Sequence, residues 1–327
     1  MVCAMRSIRG YGELSEPFKV QFGIAFQSNK WPAEYVALAQ TVDRFDFDVV
    51  SVYNDLLFQP ALGALLFMAP HVHRARLGPA ALNPFTSHPI EIAGQIAVLD
   101  LATNGRAYLG LARGAWLSAL SLEQGRPVRA LREAVLLIRH LLARRPEAFD
   151  GDVFHLAAGA TLQYAPLRST VPVTIGTWGL QTARLAEAEA DEIKVGGCTN
   201  PALVAHLRSA APSIPLCFGA VTVIDSDASA ARRRARHELR LYLPVVARLD
   251  PTLENPEWLA RLPPEDLPDD VLDRFAFAGD PASIIRQVER LVAAGASRVE
   301  FGTPHGVGDP CAAIALLGER VLPHFRS

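Results

Sequence analysis

Lysine is scarce in this chain. Lys19, Lys30 and Lys194 are the three lysines among 32 basic residues, so nearly every cation is an arginine. Cysteine is scarce too. Cys3, Cys198, Cys217 and Cys311 form no Cys-x-x-Cys pair and no disulfide framework, which makes a reducing, cytoplasmic setting the expected one. Net charge is almost absent, at -2. That balance argues against nucleic acid or an anionic membrane surface as the main partner and leaves a small molecule. Long hydrophobic runs are missing. The longest uncharged stretch, LLFQPALGALLFMAP, carries a glutamine and two prolines and is too short to span a bilayer. MVCAMRSIRGYGELSEPFKV at the N-terminus lacks an apolar signal core, and residues 1–18 read as a flexible leader. No Walker pattern and no opening Gly-x-Gly-x-x-Gly fingerprint occurs. His71 and His73 are two apart rather than four, so no metal site is expected. No Ser–His–Asp set is supported by a nucleophile elbow.

What the chain does have is alternation. Half of its 327 residues are hydrophobic, enough for a large α/β domain. Apolar runs at 20–26, 47–53, 75–82, 106–112, 171–177, 191–196, 215–224 and 297–302 are rich in Val, Ile, Leu and Phe. They do not alternate strictly, as expected of parallel strands buried on both faces. Between them, PAEYVALAQTVDRF and RPVRALREAVLLIRHLL repeat apolar residues at helical spacing. PASIIRQVERLVAAG has Asp280 as an N-cap before Pro281 and ends on Gly295. Eight such units predict an α/β fold, a (β/α)8 TIM barrel over residues 19–327 as a single domain. A doubly wound open sheet is the rival, and eight units in this length favour closure. Residues 145–170 and 249–280 exceed a normal connection and are expected as insertion loops, the second punctuated by five prolines.

In such a barrel the chemistry gathers at the C-terminal strand ends. Asn54 and Asp55 stand after the second run; Ala80, Ala81, Leu82 and Asn83 end the third; Arg113 and Gly114 follow the fourth. Gly176-Thr177-Trp178-Gly179 and Gly196-Gly197-Cys198 follow the next two. Both glycine clusters lead toward helices, where backbone N–H groups suit a phosphate, although glycine also simply permits tight turns. Asp55 is a carboxylate inside the mouth or a cap for the next helix. His305, at the last strand end, is catalytic or structural, and His88 caps or turns. Trp116 and Trp178 stack on a ring system or pack the rim.

Five segments carry a resemblance. FGIAF, LGPAALNPFTSHP, LDLATNGRAYLGLARGAW, VPVTIGTWGLQTARLAEAEADEIKVGG and FGTPHGVGDPCAAIALLGERVLPHF resemble, in the right order, segments of the bacterial-luciferase-like superfamily. The branch is the coenzyme F420 (deazaflavin) one, and the methylene-tetrahydromethanopterin reductases in particular. The resemblance covers about residues 20–325. It implies a homodimeric oxidoreductase with F420 as cofactor. It also implies a non-prolyl cis peptide, placed at Ala80–Ala81, behind the deazaflavin ring. Asn54, Asp55, Leu82 and Arg113 would lie near that ring, with Asn83 and Gly114 beside them, and the cofactor phosphate would meet Gly176–Gly179 and Gly196–Cys198.

The departures are informative. The resembled reductases carry a Glu in the first-strand motif where this chain has Ala25, and an acid after strand four where it has Ala115. The F420-dependent alcohol and sugar dehydrogenases have a strand-two Asp-His pair where this chain reads Asn54-Asp55. A methyl group neither donates nor accepts a proton, so those acid–base mechanisms do not carry over. The expected activity is F420H2-dependent reduction of a C=C or C=N bond in a small, specialised-metabolite substrate. Asp55 is the expected proton donor or substrate anchor, with His305 next. The alternatives are an FMN-dependent monooxygenase, a methylene-tetrahydropterin or folate reductase, and a non-catalytic cofactor-binding homologue.

Overall fold

A computed structural model describes residues 20–114, 117–254, 256–259 and 261–326. The expected leader at 1–18, Ala115 and Trp116 lie outside the described residues. The strands are Gln21–Phe26 (β1), Val49–Val52 (β2), Arg76–Pro79 (β3), Leu109–Ala112 (β4), Phe149–Asp150 (β5), His155–Leu156 (β6), Val173–Gly176 (β7), Glu192–Gly196 (β8), Leu216–Ile224 (β9), Ala276–Gly279 (β10) and Arg298–Gly306 (β11). The helices are Pro32–Asp43 (α1), Ala61–Met68 (α2), Pro89–Ala102 (α3), Pro127–Leu142 (α4), Leu180–Glu189 (α5), Ala202–Arg208 (α6), Ala228–Leu239 (α7), Leu243–Leu249 (α8), Pro256–Leu259 (α9), Asp269–Phe275 (α10), Pro281–Ala294 (α11) and Pro310–Arg320 (α12).

Eight parallel strands run in the order β3-β2-β1-β11-β9-β8-β7-β4. Parallel bridges at Leu77–Ala107 and Leu82–Leu111 join the two ends, so the sheet closes into the expected (β/α)8 barrel. Closure needs a bare backbone at the seam. A Cβ on Gly110 would lie 2.0 Å from the Pro79 carbonyl oxygen. The strands are apolar because most of their residues are buried; all nine of β9 are. The helices cover the outside with one apolar face each. On α4, Leu131, Val135, Ile138 and Leu142 are buried at helical spacing, each contributing roughly 1.5–3 kcal/mol on burial. On α11, Asp280 caps the Ser283 N–H at 2.9 Å and Gly295 ends the helix at φ 108°, as the sequence predicts.

Two segments are more structured than their composition suggests. The 249–280 stretch holds α9, α10 and a ninth strand, β10, which pairs in parallel with β9. Its prolines start helices rather than break them: Pro256 is the first residue of α9 and Pro268 the N-cap of α10. The 145–170 stretch forms a two-stranded antiparallel hairpin, β5–β6, followed by irregular chain. No helix among the described residues is long and apolar enough to cross a membrane.

The apolar core lies between strands and helices, whereas the lower interior of the barrel is charged. Arg298 forks onto Glu192 at 2.8 and 2.5 Å and reaches Glu300 at 2.6 Å. Glu300 also accepts from Lys194 and, at 2.6 Å, from Ser51, whose hydroxyl is 2.6 Å from that of Tyr108. Gly23 makes room for this cluster, since a Cβ there would sit 2.9 Å from Arg298 Nη1.

Candidate active site

A cavity of about 480 Å3 opens at the C-terminal ends of the strands. One wall is Ala80–Ala81, whose peptide bond is cis. Gly176–Gly179 and Gly196–Gly197 form another. Arg113 and Gly114 lie at the β4 end, and Tyr242, Val245, Val246 and Arg248 hang over from α8 and the residue before it. Asp55, Tyr53, Lys194 and Thr303 supply polar groups inside.

Short-range chemistry holds these pieces. Trp178 Nε1 donates to the Gly196 carbonyl at 3.1 Å, tying one glycine turn to the other. Gly197, at φ 75°, presents bare backbone to Val246, which a Cβ would approach to 2.7 Å. The end of α8 is tied to the same turn, because Asn200 Nδ2 donates to Asp250 at 3.0 Å and to Thr252 at 2.9 Å. Several backbone donors of the glycine ends are already engaged. Thr177 N–H donates to Lys194 O, Gly179 N–H to Thr177 Oγ1, and the Gly197 and Cys198 N–H groups to Gly219 O. An anion in this corner would therefore meet the first turn of α5, which has no side-chain cap.

The acid–base groups are perturbed. Burial raises the Asp55 carboxyl, although Gln27 Nε2 donates to it at 3.3 Å and Lys194 attracts its charge. Burial, with the Asp55 charge added, pushes the Tyr242 hydroxyl up to about 12. Burial alone would raise Glu300, but Lys194 and Arg298 outweigh it and hold its carboxyl at about 2.

The cavity gathers Asp55, Ala80, Ala81, Arg113, Gly114, Gly176, Thr177, Trp178, Gly179, Gly196 and Gly197. It does not gather the other expected residues. Asn54 Oδ1 accepts from the Ala61 N–H and starts α2. Asn83 Oδ1 accepts from Phe85 and Thr86 and makes a turn. Leu82 is core at the seam, and the Cys198 thiol is raised by burial. His305 is 1% exposed, packs edge-on against Phe26 at 5.1 Å, and donates from Nε2 to the Phe301 carbonyl at 3.2 Å. It is not among the residues that line the cavity. His88 caps α3, its Nδ1 accepting from Ile90 at 3.2 Å.

Burial holds the His305 ring down at about 4, below its ordinary 6.5. An unfolded chain takes up a proton as pH falls below 6.5, which the folded ring does not until about 4. Stability is therefore expected to fall from pH 6.5 toward pH 4. His305→Asn, a residue that accepts the φ of 74°, should lose that part of the decline in urea midpoints across the window. Identical declines in both proteins would clear His305 of the effect.

Lys194, Tyr53, Tyr242 and Thr303 are cavity residues that the sequence reading does not single out. A signal for the first existed: a lysine flanked by Ile193 and Val195 inside a buried strand.

A family profile described as luciferase-like monooxygenase matches residues 20–298. The chain belongs to this luciferase-like family. The 5,10-methylenetetrahydromethanopterin reductase of Archaeoglobus fulgidus is 25% identical, over 94% of this chain and 100% of that protein. The F420-dependent glucose-6-phosphate dehydrogenase of Amycolatopsis mediterranei is 26% identical, over 82% and 84%. Among solved structures, the coenzyme F420 dependent tetrahydromethanopterin reductase from Methanopyrus kandleri superposes with a TM-score of 0.83 at 24% identity, over 94% and 99%. That last likeness speaks to the luciferase-like barrel and not to its substrate.

Proposed function

We propose that this luciferase-like protein is a coenzyme F420-dependent oxidoreductase that reduces a C=C or C=N bond of a small organic substrate. The observation that carries the reading is the shape and lining of the cavity. A Cβ on Gly196 would meet nothing within 4 Å, and one on Gly179 only Thr177 Oγ1 at 3.9 Å. These bare backbones face open space along one wall, which suits the close approach of a flat ring and a phosphate. Relatives of both substrate kinds, pterin and sugar phosphate, share the cofactor named in their descriptions.

Ala80, Ala81, Arg113, Gly114 and the two glycine turns would hold the deazaflavin, which supplies a hydride when reduced. The chain's own groups then position the substrate and manage a proton. Asp55, with its carboxyl raised by burial, is the group placed to exchange a proton with a substrate at the cavity. From α8, Val245, Val246 and Leu249 add apolar side chains to the cavity lining. Ala25 is buried and contributes no acid. Its neighbour across the ladder is Gly302, while the carboxylate of that strand, Glu300, lies opposite Gly23 and is consumed by cations. The acid–base arrangement therefore differs from one built on a first-strand carboxylate, which supports our reading of a substrate other than a tetrahydropterin, of the specialised biosynthetic kind.

Titration of the protein with F420 and, separately, with FMN tests this. F420 fluorescence should change with micromolar affinity and FMN should bind more weakly. Tighter FMN binding with oxygen consumption would favour a monooxygenase, and no F420 binding at micromolar levels would sink the reading.

A further inference from the structure

Lys194 is placed for more than charge balance. β8 turns it inward, and its ammonium pairs with Glu300, lies 5.5 Å from the Tyr53 ring centroid and lines the cavity. The second oxygen of Glu300 is filled by Arg298 and Ser51, both at 2.6 Å. Glu300 is thus held from three sides and fixes Lys194 in turn. An ammonium has three donors, and Glu300 takes one. The rest are left for the cavity. Within the cluster Lys194 and Arg298 face Glu192 and Glu300, so the charges balance before any ligand arrives.

Resting on the F420-dependent reading, we propose that Lys194 is a catalytic residue that binds the oxygen of a carbonyl-conjugated alkene, and that this substrate class is preferred over preformed iminium cations. Hydride addition to an iminium removes positive charge, so a nearby ammonium opposes its binding and does not help its transition state. Addition to an enone does the reverse, because negative charge grows on oxygen where the ammonium already points. The β-carbon gains the hydride, with two electrons from reduced deazaflavin. The C=C pair shifts to join the α-carbon to the carbonyl carbon, and the carbonyl π pair moves onto oxygen, giving an enolate held by Lys194. The α-carbon then takes a proton from Asp55, which solvent restores, while the oxidised cofactor's spare proton goes to solvent. Glu300 is a positioning residue in this scheme.

Two variants test it: Lys194→Met, and Lys194→Met/Glu300→Gln, which removes the buried partner charge as well and so guards against a folding failure. Both should bind F420 as the wild type does. Both should reduce cyclohexenone with kcat down by about a hundredfold. A second readout needs no cofactor. Para-nitrophenol, whose phenolate resembles an enolate, should ionise in the wild-type cavity about one pH unit below its solution value, and in neither variant. The proposal is overturned if the double variant recovers kcat to within about threefold of wild type, since Lys194 would then merely neutralise Glu300. It is equally overturned if bound nitrophenol titrates like the free dye, or if an F420-binding wild type reduces iminium ions and not enones. A wild type that does not bind F420 overturns the cofactor reading and this proposal with it.

Discussion

Replacing Arg298 by methionine is expected to cost about 3–5 kcal/mol of stability, read as a lower urea midpoint at unchanged slope. Arg298 is 1% exposed and bonded to two carboxylates, Glu192 through both of its oxygens and Glu300 through one. Methionine fills the space but leaves those carboxylates in the barrel interior with Lys194 as the remaining cation. The penalty comes from stranding charge, not from losing attraction. A companion variant separates the two causes. Arg298→Met/Glu192→Gln removes one charge of each sign and should recover much of the loss. A loss below about 1 kcal/mol in the single variant would mean that water reaches the cluster.

The second large effect concerns the cavity wall. Gly196→Phe should leave stability within about 0.5 kcal/mol of wild type and weaken F420 by at least a hundredfold, or about 2.8 kcal/mol. Gly196 is exposed, its backbone is not left-handed, and an added Cβ meets nothing within 4 Å. The fold has no objection to a side chain there, but a phenyl group would occupy the space along the wall. Isothermal calorimetry or fluorescence titration reads the change directly. Undiminished F420 affinity in a folded Gly196→Phe protein would move the cofactor away from this wall.

The eight barrel strands are legible in the sequence because burial on both faces writes them as apolar runs. β10 is not, since Ala276–Gly279 offers four residues, three of them small, after a proline-rich stretch. In that stretch Pro256 and Pro268 look like breakers, and whether a proline ends one element or begins the next depends on what packs behind it. At the site, the rule that barrel chemistry sits at strand ends finds the glycine turns, Asp55 and Ala80–Ala81. It does not say where a strand-end side chain turns. Asn54 and Asn83 could as well meet a ligand as a backbone N–H, and they meet the backbone. The inner charges were written plainly but required register. Arg298 and Glu300 are two apart and share a face, and only the pairing of β8, β9 and β11 brings Lys194 to them.

That charged plug has a consequence for traffic. Arg298, 1% exposed, and Glu300, fully buried, seal the barrel below Lys194, so the molecule holds a well and not a channel. Whatever reaches Lys194 comes down past α8 and leaves by the same way. A compound seated at the floor is released only after the mouth above it clears, and exchange at that depth runs first in, last out.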